Sequence, residues 1–409
     1  MSQGLQTPSA GMPDGGFAHA AVPADAAGAA GRRKRVLVTT PEWQSAIACL
    51  QGLGRAGHDV WLLGANPRSA IAQSRFCRGI LPSPPETEGD AWIANLLSAL
   101  RTGAFDLIVP VSDAAVGLMS RARDEVSALT GLALAPPDRL EIGRDKAKTT
   151  RFALEHGVPV PETFFPRDME EARALARSVD YPCVAKLPLG TGSLGVQVTA
   201  TPAELVAFFE ERGAADNWPF VQRFVPGDLY DVTAVCDRGR MVALFAFRMP
   251  MKYHLGGTPP YVYSVKDPAL LAAARRFLEA IGWHGCVDLD FLLAPDGRYT
   301  LLELNPRLSG TTNFALKMGV ELPRAYHDVV FGCAQGDYGS AGYAGGVLFR
   351  SVVPAEMWWW NAGRRSRTAE VILKTLNPRV RTNLHWGDPP LLRAQLRDAR
   401  RMLARRTPF

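Results

Sequence analysis

The sequence predicts an α/β and α+β fold with more than one domain, and three observations support this prediction. The chain has 409 residues, which exceeds the usual size of a single domain. Hydrophobic residues make up 47% of it, enough for packed cores. Short β-rich runs alternate with helical stretches early in the chain, which is typical of a parallel sheet covered by helices. More strands follow later, so we expect a larger mixed sheet after this first α/β unit.

The first α/β domain is predicted over residues 35–140. Its strands are the runs 35–39, Asp59–Leu63 and 105–110, with helices between them. Residues 1–34 precede this domain and are mostly Gly, Ala and Pro, without the apolar segment of a signal peptide. We therefore expect a disordered N-terminal tail.

One glycine pattern in this domain, Gly52-Leu-Gly54-Arg-Ala-Gly57, has the spacing of a dinucleotide-binding loop. Such a loop must follow a strand directly and open a helix, so that the helix N-terminus meets the pyrophosphate. The preceding strand ends near Thr39, more than ten residues earlier. We therefore predict that these glycines lie at the end of a helix, with Gly57 after its last turn, and that they bind no NAD.

A second domain is predicted over residues 141–333. It begins with a helix over 146–156, which Gly157 and Pro159 end. The strands that follow are 183–187, 195–199, 220–224, 230–236, 241–248, 287–293 and 299–304. This order suggests a smaller lobe over about 141–222, a larger lobe over about 223–333, and a cleft between them.

Composition excludes several classes of protein. No apolar run reaches the roughly 18–20 residues that span a bilayer. The six cysteines are scattered, and no pair has the spacing of a zinc or redox site. We therefore expect reduced thiols and a cytoplasmic protein.

A glycine-rich loop follows a lysine at the end of a predicted strand, in the segment Val184-Ala-Lys186-Leu-Pro-Leu-Gly190-Thr-Gly192-Ser-Leu-Gly195. Lys186 would be a fixed cation at the strand end. The loop offers backbone N–H groups with little side-chain bulk, so it could close over phosphates. A plain glycine-rich hairpin with a surface lysine is an equally good interpretation of this segment alone.

The strongest chemical signal is a hairpin that carries Asp290, Glu303, Asn305 and Arg307. Two strands flank the turn Pro295-Asp-Gly297, so Asp290 and Glu303 should approach each other across the strands. Glu303 and Asn305 are two residues apart and share one face. Three oxygen ligands on one face suit Mg²⁺, and isolated carboxylates in a buried strand would be costly.

The order of these motifs resembles the ATP-grasp superfamily over about residues 35–333. The resemblance includes Asp145-Lys146, Lys186 with its glycine loop, Gln222–Val225 and the hairpin carboxylates. The stretch Asn305-Pro-Arg307-Leu-Ser-Gly-Thr-Thr looks most like the synthetase halves of carbamoyl phosphate synthase and single-module carboxylate–amine ligases. The fold it implies is a pre-ATP-grasp parallel α/β domain followed by a two-lobed ATP-grasp domain.

The resemblance also implies the role of each matched residue. The ATP-binding residues would be Lys146, Lys186, Gly190, Thr191, Gly192, Ser193, Gly195, Gln222, Arg223, Phe224 and Val225. Lysines would contact phosphates, the glycine loop would form the mobile lid, and the segment from Gln222 would hold adenine and ribose. The Mg²⁺ (or Mn²⁺) ligands would be Asp290, Glu303 and Asn305. Lys186 and Arg307 would be catalytic, and Arg307 would steady the acyl phosphate.

One residue departs from the family pattern, because Gln222 stands where an acidic residue is usual. Glutamine can still accept a hydrogen bond from a ribose hydroxyl, but the site loses a negative charge.

The function that follows is an ATP-dependent carboxylate–amine ligase of the amino-acid type, which forms an amide through an acyl phosphate. Substrates are expected near Arg248, Lys252, Arg307 and Ser309, because Arg and Lys pair with carboxylates. The first domain could contribute Thr39–Glu42 and Ser112-Asp113 at its strand ends.

One alternative function is that of a bicarbonate-activating enzyme, either a carboxylase or similar to carbamoyl phosphate synthase. The other is a nucleotide-binding regulatory protein without turnover.

Residues 334–409 form a basic C-terminal extension that the resemblance does not explain. From Arg364 onward it carries 12 Lys and Arg against three acids, a net charge of +9, whereas the whole chain has +6. Its last segment has apolar residues at 392, 396, 399 and 403, the spacing of an amphipathic helix, and Trp358–Trp360 precede it. We expect either packing on the core or docking to an anionic membrane or acidic partner. No nucleic-acid partner is expected.

Overall fold

The protein is described here from a computed structural model. The structure describes residues 32–40, 44–190, 195–250, 259–356 and 380–405. Within these ranges no helix has both the length and the apolar character needed to cross a membrane. The predicted fold class is confirmed, because a parallel α/β unit precedes a mixed sheet.

The first domain has a four-stranded parallel sheet in the order β3-β2-β1-β4. Its strands are β1 (Arg35–Val38), β2 (Asp59–Leu63), β3 (Cys77–Leu81) and β4 (Leu107–Val109). Its helices are α1 (Gln44–Arg55), α2 (Gly89–Gly103), α3 (Asp113–Arg121), α4 (Arg123–Leu129) and α5 (Pro137–Arg144). The strand order reverses between β1 and β4, so their carboxyl ends form the switch point where open sheets bind ligands.

The glycines of the G-x-G-x-x-G pattern lie in and after α1, as predicted. Gly52 and Gly54 are inside the helix, where Gly54 packs against Phe76. Gly57 follows the helix with φ +93°, and His58 N–H donates to Leu53 O over 3.1 Å. The pattern therefore serves helix packing and termination.

The smaller lobe is an antiparallel sheet with two helices on it, in the order β5-β8-β6-β7. Helix α6 (Lys146–Glu155) leads into it. Its strands are β5 (Thr163–Phe164), β6 (Cys183–Lys186), β7 (Val196–Thr199) and β8 (Phe220–Arg223), and its helices are α7 (Met169–Ser178) and α8 (Pro202–Arg212). Asp145 begins α6 by accepting the N–H groups of Ala147 and Lys148.

The larger lobe is built on a seven-stranded sheet in the order β13-β12-β9-β10-β11-β14-β15. Its strands are β9 (Leu229–Asp237), β10 (Arg240–Met249), β11 (Tyr261–Val265), β12 (Gly285–Leu293), β13 (Tyr299–Asn305), β14 (Leu348–Arg350) and β15 (Arg381–Thr382). Its helices are α9 (Pro268–Ile281), α10 (Thr312–Lys317) and α11 (Leu322–Val330). Two of these strands lie beyond residue 333, the predicted end of this lobe, so part of the C-terminal extension completes the sheet.

The C-terminal helix α12 (Pro389–Arg405) packs on the first domain, beside the 3₁₀ turn Ile71–Gln73. Its buried residues include Leu391, Ala394 and Gln395. Within the predicted apolar stripe, Leu392 and Ala399 are half-buried and Leu396 is 45% exposed, so the buried face of the helix lies beside this stripe. The tryptophans at 358–360 and the arginines at 364, 365 and 367 lie outside the described residues.

Candidate active site

Three neighbouring strands of the larger lobe bring acidic residues into one row. Asp290 on β12 lies opposite Glu303 on β13, as the sequence predicts. On its other side Asp290 lies opposite Asp231 on β9. Cross-strand partners share a face of the sheet, so the three carboxylates project from the same face.

The adjacent row adds a fourth carboxylate. Asp288 lies two residues before Asp290, opposite Asn305 on β13 and Thr233 on β9. Carboxylate oxygens of Asp231, Asp288 and Asp290 all lie within 4.8 Å of one another. The structure thus joins the predicted ligands Asp290, Glu303 and Asn305 with two aspartates, Asp231 and Asp288, that sequence reasoning missed.

The electrostatics of this cluster favour a bound cation. Burial, together with the neighbouring carboxylates, raises the pKa values of Asp231 and Asp290 well above the usual range. Burial also raises the pKa of Asp288 to about 6, although Arg307 opposes the rise. The Oδ1 atom of Asp288 is buried and has no hydrogen-bond partner among the described residues. Crowded carboxylates with an unpartnered oxygen are the donor set that Mg²⁺ or Mn²⁺ takes.

Two lysines, one at the start of α6 and one at the end of β6, face this cluster. Lys146, the first residue of α6, places Nζ 3.4 Å from Glu303 Oε2 and donates to Gly190 O. Lys186 ends β6 and is only 7% exposed, and burial lowers its pKa to about 8. Burial acts to raise the pKa of Glu303, but Lys146 and Lys186 outweigh it and hold that pKa below its usual value. The two lobes therefore meet at complementary charges.

Arg307 joins the cluster to the first domain. Its Nη1 lies 3.2 Å from Asp288 Oδ2, and its Nε lies 3.4 Å from Asp113 Oδ2. Asp113 begins α3, directly after β4 at the switch point of the parallel sheet. The guanidinium therefore bridges the two sheets from a largely buried position.

The carboxyl edge of the first sheet also gathers polar groups near this bridge. Ser112 Oγ donates to Glu86 over 2.9 Å and lies 3.1 Å from Thr40 Oγ1. Thr40 Oγ1 donates to Glu86 as well. Glu86 was missed by sequence reasoning, since it lies in a short 3₁₀ turn without any motif. Pro41 to Trp43 lie outside the described residues.

The nucleotide-binding segment splits into buried and exposed parts. Gln222 is 1% exposed, donates to Thr163 Oγ1 over 3.2 Å, and keeps its Oε1 buried without a partner in the described chain. In the register of β6 and β8, Gln222 lies opposite Val184, which is two residues before Lys186. Gln222 and Lys186 therefore lie on the same face of the sheet. Arg223 and Phe224 are exposed, and Val225 is half-buried.

The glycine loop is described only at its two ends. Gly190 and Gly195 have φ values of 151° and 80°, and Leu187 N–H donates to Gly195 O over 2.7 Å. Predicted loop residues outside the described ranges are Thr191, Gly192 and Ser193. The two described ends of the loop therefore lie next to the end of β6, where Lys186 pairs with Val196.

The predicted substrate residues fall in different places. Ser309 is 5% exposed, and its N–H donates to Thr233, which neighbours Asp288. Arg248 on β10 lies opposite Tyr230 on β9, and Tyr230 is the residue before Asp231. Arg248 therefore lies on the opposite face of the sheet from Asp231. Its guanidinium contacts the carboxylate of Asp228 at 3.5 Å. Lys252 lies outside the described residues. The geometry therefore brings Ser309 to the cluster and leaves Arg248 away from it.

Comparison with known proteins shows which proteins this chain is similar to. Residues 143–311 match the ATP-grasp domain family. The chain is 24% identical over 76% of its length to the carbamoyl phosphate synthase large chain of Thermomicrobium roseum, of which it spans 29%. It is 29% identical over 43% of its length to the D-alanine–D-alanine ligase of Chromohalobacter salexigens, of which it spans 58%.

Solved structures share the fold over most of the chain. An L-amino acid ligase from Bacillus licheniformis aligns with a TM-score of 0.57 and 15% identity, covering 73% of this chain and 74% of that one. The biotin carboxylase domain of Hydrogenobacter thermophilus 2-oxoglutarate carboxylase, complexed with MgADP and bicarbonate, aligns with a TM-score of 0.60 and 16% identity, covering 77% and 73%. Residues 143–311 are thus similar to the ATP-grasp domain in sequence, the chain shares its fold with these structures, and a parallel α/β domain precedes the matched segment.

Proposed function

We propose that this protein is an ATP-dependent carboxylate–amine ligase that forms an amide bond through an acyl phosphate. The observation that carries the proposal is the row Asp231–Asp290–Glu303, which faces Lys146 at the start of α6 and Lys186 of the smaller lobe. Anionic groups for a metal and cationic groups for phosphates thus flank one cleft, as phosphoryl transfer requires.

The divalent cation would be held by Asp290, Glu303 and Asn305, with Asp231 and Asp288 beside them. Bound there, Mg²⁺ would neutralise phosphate oxygens and polarise the transferred phosphoryl group. The unpartnered oxygen of Asp288 and the mutual repulsion of the aspartates support this use of the cluster.

The lysines and Arg307 would act on the reacting groups. Lys146 and Lys186 would hold the ATP phosphates while a substrate carboxylate oxygen attacks the γ-phosphorus and the bond to ADP breaks. Arg307, bridging the cluster and the first domain, would orient the acyl phosphate. An amine nitrogen then attacks the acyl carbon, phosphate leaves, and the nitrogen releases its proton to solvent. Gln222 Oε1 would accept a hydrogen bond from the nucleotide.

The assignment of an amino-acid type of substrate rests on likeness. Two of the matched proteins are an L-amino acid ligase and a D-alanine–D-alanine ligase. Bicarbonate activation is the second candidate, since one matched structure contains MgADP with bicarbonate.

The test is phosphate release from Mg-ATP, screened over amino acids, other carboxylates and amines, with hydroxylamine as a trap. We expect release that needs a carboxylate and an amine together, and a hydroxamate of that carboxylate. Glu303→Gln should abolish release without unfolding the protein, whereas Glu211→Gln on the exposed surface of α8 should leave it unchanged.

Each competing outcome has a distinct signature. Release that depends on bicarbonate, with a trapped carbamoyl species, would establish the second candidate. ATP binding without release under any condition would indicate a regulatory protein. Full activity of Glu303→Gln would refute the metal assignment itself.

We propose a cytoplasmic location, because all six cysteines are free and four of them are buried.

Docking of the basic helix α12 to an anionic membrane or acidic partner stays a prediction. Arg393, Arg397, Arg400 and Arg401 are exposed there. Co-sedimentation with anionic liposomes should be lost in Arg400→Glu/Arg401→Glu if the prediction is correct.

A further inference from the structure

The carboxylates of the larger lobe form two adjacent groups on one face of its sheet. Asp288 and Asp290 lie two residues apart on the central strand β12, so both project to the same face. On one side Asn305 and Glu303 of β13 lie opposite them, and this group contains the predicted metal ligands. On the other side Asp231 of β9 lies opposite Asp290. We refer to Asp231, Asp288 and Asp290 as the aspartate triad.

The spacing within the aspartate triad suits a single cation. One oxygen from each of the three carboxylates lies within 4.8 Å of the other two. Ligand oxygens around a divalent cation lie about 3–5 Å apart, because each metal–oxygen distance is about 2.0–2.6 Å. The three carboxylates can therefore reach one ion without movement of the strands.

Two side chains of the triad lack partners for their oxygens. Asp231 is 7% exposed, and its carboxylate forms neither a hydrogen bond nor an ion pair with the described residues. Asp288 is 3% exposed, and its Oδ1 has no hydrogen-bond partner in the same part of the chain. Buried carboxylates without partners are costly, so either a cation or a proton must compensate them. Asp290 is half-buried, so an ion can enter the triad from the cleft.

The lysines of the cleft are directed at the other group. Lys146 Nζ lies 3.4 Å from Glu303 Oε2, and among charged groups Lys186 interacts most strongly with the same carboxylate. The positive charge that acts most strongly on Asp231 is instead that of Arg307. Three aspartates therefore share one guanidinium, and a divalent cation would neutralise the negative charge that remains.

We propose that the aspartate triad binds a divalent cation in the absence of nucleotide, separately from the cation that Glu303 and Asn305 would hold with ATP. Ligands that are all carboxylate oxygens suit Mg²⁺, Mn²⁺ or Ca²⁺ and not a thiophilic metal. Asp290 lies between the two groups and would contact both ions, since neighbouring strands are about 4.8 Å apart. The cation bound with ATP rests on the proposed function, whereas the cation of the triad does not.

The experiment counts the Mn²⁺ ions that bind to the full chain without nucleotide, from the electron paramagnetic resonance signal of free Mn²⁺. The protein is first stripped of metal with EDTA and desalted. We expect one bound Mn²⁺ in the wild type, and affinity weaker by more than about tenfold in Asp231→Asn, which loses a charged ligand. Asp138→Asn removes a carboxylate from the exposed surface of α5 and should bind Mn²⁺ like the wild type.

Two further variants separate the triad from the other group. Asp288→Asn keeps an oxygen for Arg307 but loses the charge, so it should lose the ion as Asp231→Asn does. Glu303→Gln should keep the ion, although it should lose phosphate release from Mg-ATP. Urea unfolding provides a second readout, because Mn²⁺ should raise the midpoint of the wild type and of Glu303→Gln but not that of the two aspartate variants.

Each result decides between the alternatives. The proposal is overturned if the nucleotide-free wild type binds no Mn²⁺, since the aspartates then hold protons only. It is also overturned if Asp231→Asn binds Mn²⁺ like Asp138→Asn, or if Glu303→Gln loses the ion as well, because all the carboxylates then form one site. A wild type that binds one Mn²⁺ but never releases phosphate would refute the proposed function and leave the triad site in place.

Discussion

Asp231 places a third aspartate beside Asp288 and Asp290 in a buried part of the larger sheet. Its pKa lies well above its usual 3.8 because of burial and the charge of Asp288. A raised pKa in the folded state means that the ionised form is disfavoured there, so stability is lost as pH rises above 3.8. In the absence of a metal, Asp231 therefore destabilises the protein at neutral pH.

We predict that Asp231→Asn raises the free energy of unfolding by about 1–2 kcal/mol at pH 8 in EDTA, and that it weakens stabilisation by Mg²⁺. Thermal and urea unfolding with and without the metal measure both effects. The gain should shrink as the pH approaches 4, since the wild-type carboxyl is then protonated. A variant that loses stability in EDTA at pH 8 would contradict this account.

The sequence could predict only the local part of this site. Glu303 and Asn305 share a face by strand periodicity, and the turn before them predicts the pairing with Asp290. Asp231 joins them only because β9 lies beside β12, although the two residues are 59 positions apart. Sequence spacing does not show which distant strands become neighbours, and the contact between Arg307 and Asp113 was missed for the same reason.

His385 allows a pH test at a single residue. It is 1% exposed, neither ring nitrogen has a hydrogen-bond partner among the described residues, and burial lowers its pKa from 6.5 to about 3. The unfolded chain takes up a proton near pH 6.5 while the folded protein does not. The stability contributed by the neutral ring is therefore complete above pH 6.5 and is lost progressively from there towards pH 3.

We expect His385→Leu to match the wild type within about 1 kcal/mol at pH 8 and to exceed it by about 2 kcal/mol at pH 5. Urea unfolding at several pH values gives the two curves. If the free energies of unfolding of the two proteins changed in parallel with pH, the imidazole of His385 would be protonated equally in the folded and unfolded states.

At the scale of elements, most strands and the main helices could be predicted, whereas features set by tertiary packing could not. Strand β3 was missed because Arg78 and Gly79 weaken its β-pattern. Gly79 is needed there, since a Cβ would lie 2.3 Å from the Trp61 ring. Helix α12 was predicted, but which of its residues are buried depends on its packing against the first domain.

Asp388 anchors α12 to the first domain. It is fully buried, accepts from Gln51 Nε2 over 2.6 Å and from Arg75 N–H over 3.1 Å, and also accepts from Ser74. Asp388→Ala should lower the free energy of unfolding by about 2–4 kcal/mol, because these buried donors lose their acceptor. Asp398→Ala, a partly exposed site on the same helix, is the matched control and should change it by less than about 1 kcal/mol. Equal unfolding curves for both variants would show that the anchor contributes nothing.

At the scale of the whole molecule, the protein has two hydrophobic cores among its described residues. One is continuous through the first domain, the larger lobe and Leu391 of α12. The other belongs to the smaller lobe alone and includes Cys183, Phe209 and Val221. Helix α6 belongs to the continuous core through Phe152 and Ala153, so the charged interaction between the smaller-lobe core unit and the rest is that of Lys186 with Glu303. Charged contacts rearrange at a lower cost than a shared apolar core, so the smaller lobe can move as a unit.

We therefore predict that nucleotide and Mg²⁺ draw the smaller lobe towards the larger one, since phosphates would join Lys186 of the smaller lobe to the metal ligands of the larger lobe. Spin labels at Arg177→Cys on α7 and Arg101→Cys on α2, with Cys77 and Cys333 changed to serine, report the separation. Adding a non-hydrolysable ATP analogue with Mg²⁺ should shift and narrow the distribution of distances between the two labels.

A second pair of labels, at Arg101→Cys and at Glu279→Cys on α9, lies within the continuous core unit, and its distance distribution should stay unchanged. Glu303→Gln should diminish the shift of the first pair, because it removes a ligand through which closure would be stabilised. If both pairs respond alike, the lobes do not move as separate units, and the division of the cores has no dynamic consequence.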